Sequence, residues 1–168
     1  FNNAQNNLNI FLNKNSLGII TTFGNSMKNN FRYFILYKPY RVLCQFSSVV
    51  GKKNLRDVFD FPTDVYPVGR LDEDSEGLLI LTNDSRLNHV LLNPDKAHFR
   101  TYLVQVDGKI DNHALEKLED GLSINVKGKK IITRKAKAKL INDEPPVPDR
   151  FPPIRFRKNI PTSWIQLS

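Results

Sequence analysis

The densest apolar pattern in the chain lies between Arg32 and Lys38. RYFILYK combines aromatic and β-branched side chains, which favour a pleated, half-buried strand, and Pro39 ends it. LLILT at 78–82 is a short apolar run that predicts a buried strand. Directly after it, Asn83 or Asp84 supplies an N-cap, and Leu87, Val90 and Leu91 recur at helical spacing until Pro94 stops the pattern. TYLVQVDG at 101–108 returns to a period of two, with Tyr102, Val104 and Val106 on one face. Asp111 then caps NHALEKLEDG, a helix that ends at Gly121.

The weaker signals fill the gaps. NLRDVF at 54–59 predicts one helical turn capped by Asn54, and 65–68 is extended because Pro67 disfavours helix at Tyr66. Lys130 to Ile141 alternates loosely between basic and apolar residues and predicts one long edge strand. TSWIQLS, from Thr162, predicts a last strand, inside which the chain stops. Strands and helices do not alternate as regular βαβ units, so the expected class is α+β.

Two segments carry no such pattern. Ten of the first thirty residues are Asn, none is acidic, and Phe11, Leu12, Ile19 and Ile20 show no sustained period. The segment has neither the Arg of a transit peptide nor a charged-then-apolar secretory pattern. The single methionine, Met27, directly precedes KNNFRYFILYKPY and is the expected natural start. Residues 1–30 are accordingly expected to be an extension without fixed structure, with 1–26 lying upstream of the protein proper, and 31–168 to form the domain. PPVPDRFPPIRFRKNIP, 145–161, holds six of the ten prolines and reads as stiff and basic rather than as a flexible linker.

Composition adds a direction. Net charge is +8, and from Lys129 to Ser168 ten Lys and Arg face three acids, a net of +7. Such a concentration suits a polyanionic partner, nucleic acid first, although lysines also guard strand edges. Cys44 stands alone, which excludes an intrachain disulfide and suits a reducing, cytoplasmic setting. His89, His98 and His113 are dispersed and show no metal-ligand spacing. No apolar run approaches the ~18 residues that span a bilayer, so no membrane partner is expected.

Against this basic background, GRLDEDSEGLLILTND at 69–84 places four acids in the five positions 72–76. A loop carboxylate at a strand end, beside Arg70, suits a nucleophile or base, so Asp72 is the candidate. The competing reading is a turn, since DEDSEG is rich in capping and bending residues. Glu73, Asp74 and Glu76 are expected to be solvated or to tie off that turn.

The stretch GRLDEDSEGLLILTND closely resembles the active-site motif of the RsuA-type family of pseudouridine synthases, roughly G-R-L-D-x-x-[ST]-x-G-L-L-L-L-T-N-D. FILYKPYRVLCQF is similar to the family's opening strand and KP turn, and RTYLVQVDG to its lysine-x-tyrosine strand. PPIRFRKNIPTSWIQLS resembles the E-type branch of the family, which acts on 23S ribosomal RNA. The likeness covers about Phe31 to Ser168.

The resemblance implies a mixed, mostly antiparallel sheet with short flanking helices. It implies an isomerase that converts a specific uridine to pseudouridine with neither cofactor nor metal, working as a monomer on 23S-type RNA. Asp72 matches the catalytic aspartate, and Arg70 the arginine that holds the flipped nucleotide open or contacts its phosphate. Tyr102 matches the tyrosine packed on the uracil. Leu71 and Leu79 would shape an apolar wall, and Arg100 replaces the commoner lysine, keeping the charge with altered geometry. Lys130, Arg134, Arg155, Arg157 and Lys158 are the candidate contacts to the RNA backbone. Ser85 replaces a frequent glycine at a helix start.

The likeness stops before a G-R-x-x-Q-V-R-R-M-like helix, which in the family pairs a basic residue with the aspartate. The catalytic domain is therefore expected to be C-terminally incomplete, with an exposed apolar face around Trp164 and Ile165 and weak or no activity of this chain alone. Rival readings are an inactive RNA-binding fragment, a purely structural or ribosome-associated protein, and a two-carboxylate glycosidase using Asp72 with Asp74 or Glu76. Placing both carboxylates of a glycosidase in one loop disfavours the last.

Overall fold

In the computed structural model, which describes residues 9–12, 19–23, 30–96, 98–143, 145, 147–148, 150–154 and 160–168, RYFILYK lies in the middle of a five-stranded sheet. The strands are β1 (Asn9–Leu12), β2 (Ile19–Phe23), β3 (Tyr33–Lys38), β4 (Val42–Leu43), β5 (Lys53–Asn54), β6 (Tyr66–Pro67) and β7 (Gly77–Thr82). The sheet order is β1-β2-β3-β7-β6, with every neighbouring pair antiparallel. β4 and β5 form a separate two-residue parallel pairing.

Register explains the core. Phe34 lies opposite Leu81 and Leu36 opposite Leu79, so four large apolar side chains share one face of β3 and β7. All four are buried, Leu36 and Leu81 completely. Val42, Cys44, Leu55, Val58, Phe61 and Val65 close over that face, with Phe61 edge-on to Phe34 at 5.4 Å. The turn expected at 54–59 is a 3₁₀ turn, Leu55–Asp57. Asn54 accepts from Arg56 N at 2.9 Å, and the Asp57 carboxylate accepts from Asn54 N at 2.7 Å.

Helix α1 (Ser85–Leu92) begins where expected. Asp84 caps it by accepting from Arg86 N at 3.0 Å and Leu87 N at 3.4 Å. The Tyr33 hydroxyl donates to the other Asp84 oxygen at 2.9 Å, which ties the helix start to β3. Burial would raise the Asp84 pKa. The Tyr33 hydroxyl, the two backbone N–H groups and the Arg86 guanidinium outweigh it and hold the carboxyl below its ordinary value.

The chain pairs earlier than the sequence suggested. β1 and β2 lie within the segment expected to lack fixed structure, and the backbone of β2 pairs with β3 from Ile20–Leu36 to Phe23–Tyr33. The physical reason is the otherwise open edge of β3, whose backbone donors and acceptors recruit the β-branched run IITTF.

The chain divides into two compact units, Phe1–His98 and Phe99–Ser168. The second unit contains β8 (Tyr102–Asp107), α2 (Asn112–Asp120), β9 (Ser123–Val126), β10 (Lys129–Ile132), β11 (Ala138–Ile141) and β12 (Thr162–Leu167). Asp111 caps α2 through Ala114 N at 2.8 Å, and Gly121 terminates it.

Two expectations fail in this unit. Lys130 to Ile141 is not one strand. β10 folds back on β9 as a hairpin, and the chain then changes partner, so that β11 pairs with β12. The exposed apolar face expected at Trp164 and Ile165 is also absent: Ile165 is 3% exposed and Trp164 half-buried. β12 is the middle strand of the sheet β11-β12-β8, hydrogen-bonded on both edges.

Candidate active site

The acid-rich stretch is a short loop between β6 and β7, held from several sides. Val68 N donates to Ile80 O at 2.7 Å, fixing the entry beside β7. Gly69 has φ +77, a left-handed conformation that only glycine adopts freely, and the Cys44 thiol approaches its carbonyl at 3.8 Å. Leu71 packs on the core cluster as an anchor. Asp72 O then accepts from Ser75 N at 3.2 Å, so the four residues 72–75 make a turn.

The neighbouring acids tie this turn down. Glu73 forms an ion pair with Lys52, and its carbonyl accepts from Arg41 N at 2.8 Å. Tyr37 donates to Glu76 at 3.4 Å. Asp74 is exposed. The expectation that these acids are solvated or close the turn therefore describes what is seen. Asp72 itself is exposed, and among the described residues no hydrogen bond or ion pair engages its carboxylate. Arg70 is exposed in the same loop but forms no ion pair with Asp72, so the orienting contact suggested by their spacing is not made.

Beneath the loop lies a residue that sequence reasoning noted only as part of a turn. Lys38 is fully buried, and its Nζ donates to Pro39 O at 3.0 Å and Val42 O at 2.8 Å. Desolvation lowers its pKa, opposed by Cys44 and by the acids Glu76, Asp74 and Glu73. Its two bonds shape the turn in which Arg41 takes φ +60, and it is Arg41 that grips Glu73. Such a strained non-glycine residue persists only where its surroundings hold it. The signal in the sequence was the proline of KPYR, which marks a turn; the burial of Lys38 beside it is not written there.

The remaining candidates lie on several elements. Leu79 is a core residue, 3% exposed, and Leu78 beside it is 67% exposed. Tyr102 opens β8 opposite Leu167 and is 49% exposed. Arg100 is exposed just before it, where Thr101 Oγ1 meets Ser168 Oγ at 2.8 Å. Lys130 lies on β10 and Arg134 follows it, both exposed. Arg155, Arg157 and Lys158 lie outside the described residues. Among the described residues no cluster of His, Cys, Asp and Glu could hold a metal, and no helix is long and apolar enough to cross a membrane. A hollow of about 490 Å³ beside α1, lined by Ser85, Asn88, His89, Leu92, Asn93 and Pro94, does not include Asp72. The loop presents its carboxylate on open surface.

An exposed carboxylate that protein contacts do not engage is available as a nucleophile or a base. The sequence profile of the family described as RNA pseudouridylate synthase matches residues 32–168. A ribosomal large subunit pseudouridine synthase E of Vibrio parahaemolyticus is 44% identical over 139 residues, covering 83% of this chain and 56% of that protein. The synthase E of Xanthomonas axonopodis is 44% identical over 135 residues, 79% of this chain and 68% of its own length. Synthase B of Bacillus subtilis is 40% identical over 111 residues, 66% of this chain and 44% of that protein. A solved pseudouridylate synthase superposes with a TM-score of 0.59 at 25% identity, covering 87% of this chain and 54% of that one. The chain thus spans between 44% and 68% of the length of these proteins.

Proposed function

Since this chain belongs to the RNA pseudouridylate synthase family, we propose that its protein converts a uridine of 23S-type ribosomal RNA to pseudouridine, with Asp72 as the catalytic residue. The carrying observation is the loop at 69–76. It spends its glycine, its leucine and two of its acids on fixing one turn, and leaves the Asp72 carboxylate accessible.

The reaction breaks the bond from ribose C1′ to uracil N1, turns the ring, and joins C1′ to C5. N1 gains a proton and C5 loses one, so nothing is oxidised and no group is imported. Asp72 acts on the ribose, as nucleophile at C1′ or as base at C2′, and both roles need a carboxylate that protein contacts do not consume. The uridine must leave its stack, which costs a few kcal/mol. Stacking on the exposed ring of Tyr102 offsets part of this, Arg70 holds the flipped nucleotide open or contacts its phosphate, and Arg100 supplies a further positive charge for the substrate. Lys130 and Arg134 are backbone contacts that make binding salt-dependent. The free, buried thiol of Cys44 suits a reducing compartment, in line with cytoplasmic work on ribosomal RNA.

The test is direct. Ribosomal RNA is incubated with the full-length product of the gene that encodes this chain, and pseudouridine is read as carbodiimide-dependent stops in reverse transcription. A new stop in 23S-type RNA that disappears with Asp72→Ala, while RNA binding persists, is the expected result. Equal product from the variant, or ordinary uridine throughout with the wild type, would overturn the reading.

A further inference from the structure

We propose that the β9–β10 hairpin is a finger that grips double-stranded RNA, resting on the shallow minor groove and neutralising phosphates on its rims. The inference deepens the proposed function and rests on RNA being the substrate. It concerns how that RNA is held, not the chemistry at Asp72.

The hairpin is anchored at its base and open beyond it. Thr133 N donates to Leu122 O and Leu122 N to Thr133 Oγ1, both at 2.9 Å, and Ala136 N bonds Glu119 O on α2 at 3.1 Å. Beyond this clamp, β9 and β10 pair only with each other, and all eight strand residues are exposed. The two turn residues, Lys127 and Gly128, have φ +51 and +81, as a tight type I′ turn requires. The tip is therefore shaped, and a cation is held in a conformation that non-glycine residues avoid.

Chemistry follows from the register. Val126 faces Lys129 and Ile124 faces Ile131, so one face is aliphatic and carries a lysine at its outer end. Asn125 faces Lys130 on the other face. Lys127, Lys129, Lys130 and Arg134 form no ion pair among the described residues, whereas Lys135 pairs with Asp120 and Lys137 lies over Phe99. From Ser123 to Lys139 there is no acid. An isolated two-stranded ribbon is marginal in water, so an exposed ribbon with an aliphatic face and a cationic tip is suited to being covered. The charge selects a polyanion as the cover.

The same segment argues for paired rather than single-stranded RNA. Leu122 to Lys139 contains no Phe, Tyr or Trp. Recognition of splayed bases relies on aromatic platforms, and this ribbon offers none. A-form duplex is recognised by shape, through ribose and phosphate contacts across a wide, shallow minor groove. Aliphatic side chains suit the sugar edges and lysines the phosphates.

The test uses the full-length protein, fluorescent RNA duplexes and single strands of equal length, and the triple variant K127Q/K129Q/K130Q. Loss of three phosphate contacts should lower the slope of log affinity against log salt on duplex by about two to three. Between 50 and 200 mM salt, the wild type should then lose about 40-fold more duplex affinity than the variant. I131S should weaken duplex binding at every salt concentration without changing the slope. An unchanged slope in the triple variant, or an equal loss on single strands and duplex, overturns the proposal. So does a wild type that binds no duplex, as a hairpin that seats a protein would. Binding is read without product, so a wild type that grips duplex through the hairpin yet forms no pseudouridine sinks the proposed reaction and leaves this inference standing.

Discussion

Gly69→Ala should cripple turnover out of proportion to its effect on folding, and Gly51→Ala provides the matched control. Both glycines have nearly the same backbone, φ +77 and +76. Any L-residue forced there costs about 1–2 kcal/mol. They differ in surroundings. A Cβ on Gly51 meets nothing within 4 Å, whereas one on Gly69 lies 3.2 Å from Leu92 Cδ2. That contact is with a side-chain terminus, which can give by a few tenths of an ångström, so the added stability loss is small. Both variants should therefore melt roughly 4–16 °C below wild type, taking about 4–8 °C per kcal/mol for a unit of this size. Their effect on chemistry should diverge. Gly69 stands three residues before Asp72 in a loop with few other degrees of freedom, and a displacement near 1 Å costs about 100-fold in rate. Thermal melts and single-turnover pseudouridine formation by the full-length protein measure the two effects on the same preparations. If Gly69→Ala retains wild-type turnover, or Gly51→Ala loses as much, the rigidity of the loop does not aim Asp72.

Other substitutions probe other contacts. Asp72→Ala removes an exposed side chain without partners among the described residues, so its unfolding free energy should stay within about 0.5 kcal/mol of wild type in urea titrations while product formation is lost. Gly121→Ala would place a Cβ 2.6 Å from the Thr133 carbonyl oxygen at φ +101, so backbone must move; a loss of about 2 kcal/mol or more in denaturant melts is expected, and near-neutrality would contradict the hairpin clamp. Asn54→Ala deletes the cap of the 3₁₀ turn and should cost about 1 kcal/mol by the same measurement. The Tyr33–Asp84 bond should leave a signature at both ends of the pH range. The folded-state pKa of Asp84 is depressed from 3.8, so its contribution is complete above that value and lost as pH falls through the folded pKa. Burial and the bond to Asp84 raise Tyr33 from 10.0, so its contribution is complete below that value and lost as pH rises through the folded pKa. Melting temperature against pH should show both losses, and Tyr33→Phe should blunt them; identical profiles for the two proteins would refute the coupling.

Much of the fold was legible because its signals are local. RYFILYK, LLILT and TYLVQVDG alternate or cluster strongly enough to name strands. Asn54, Asp84 and Asp111 cap where caps were expected because a side-chain oxygen needs only N–H groups two or three residues away. The hairpin at 123–132 was missed for the opposite reason. Its strands are short and wholly exposed, so no buried face writes a period into the sequence, and only Lys127-Gly128 marks the turn. At the candidate site, the sequence singled out Asp72 and treated its acidic neighbours as turn residues. It did not show that Lys52, Tyr37 and Arg41 hold them, because these partners lie more than twenty residues away.

What the sequence determined by itself is the inventory: which segments pair as strands, where helices start, which carboxylate stands in the family's motif, and that cations crowd the last forty residues. What only tertiary structure decided is partnership. It decided that β2 covers the edge of β3, that the chain between 133 and 137 leaves one strand partner for another, and that Ile165 is interior rather than bare. Propensity and capping act over a few bonds and are therefore written in neighbouring letters. Burial, register and the freedom of a single carboxylate depend on which distant segment arrives alongside, and that is settled only when the chain closes on itself.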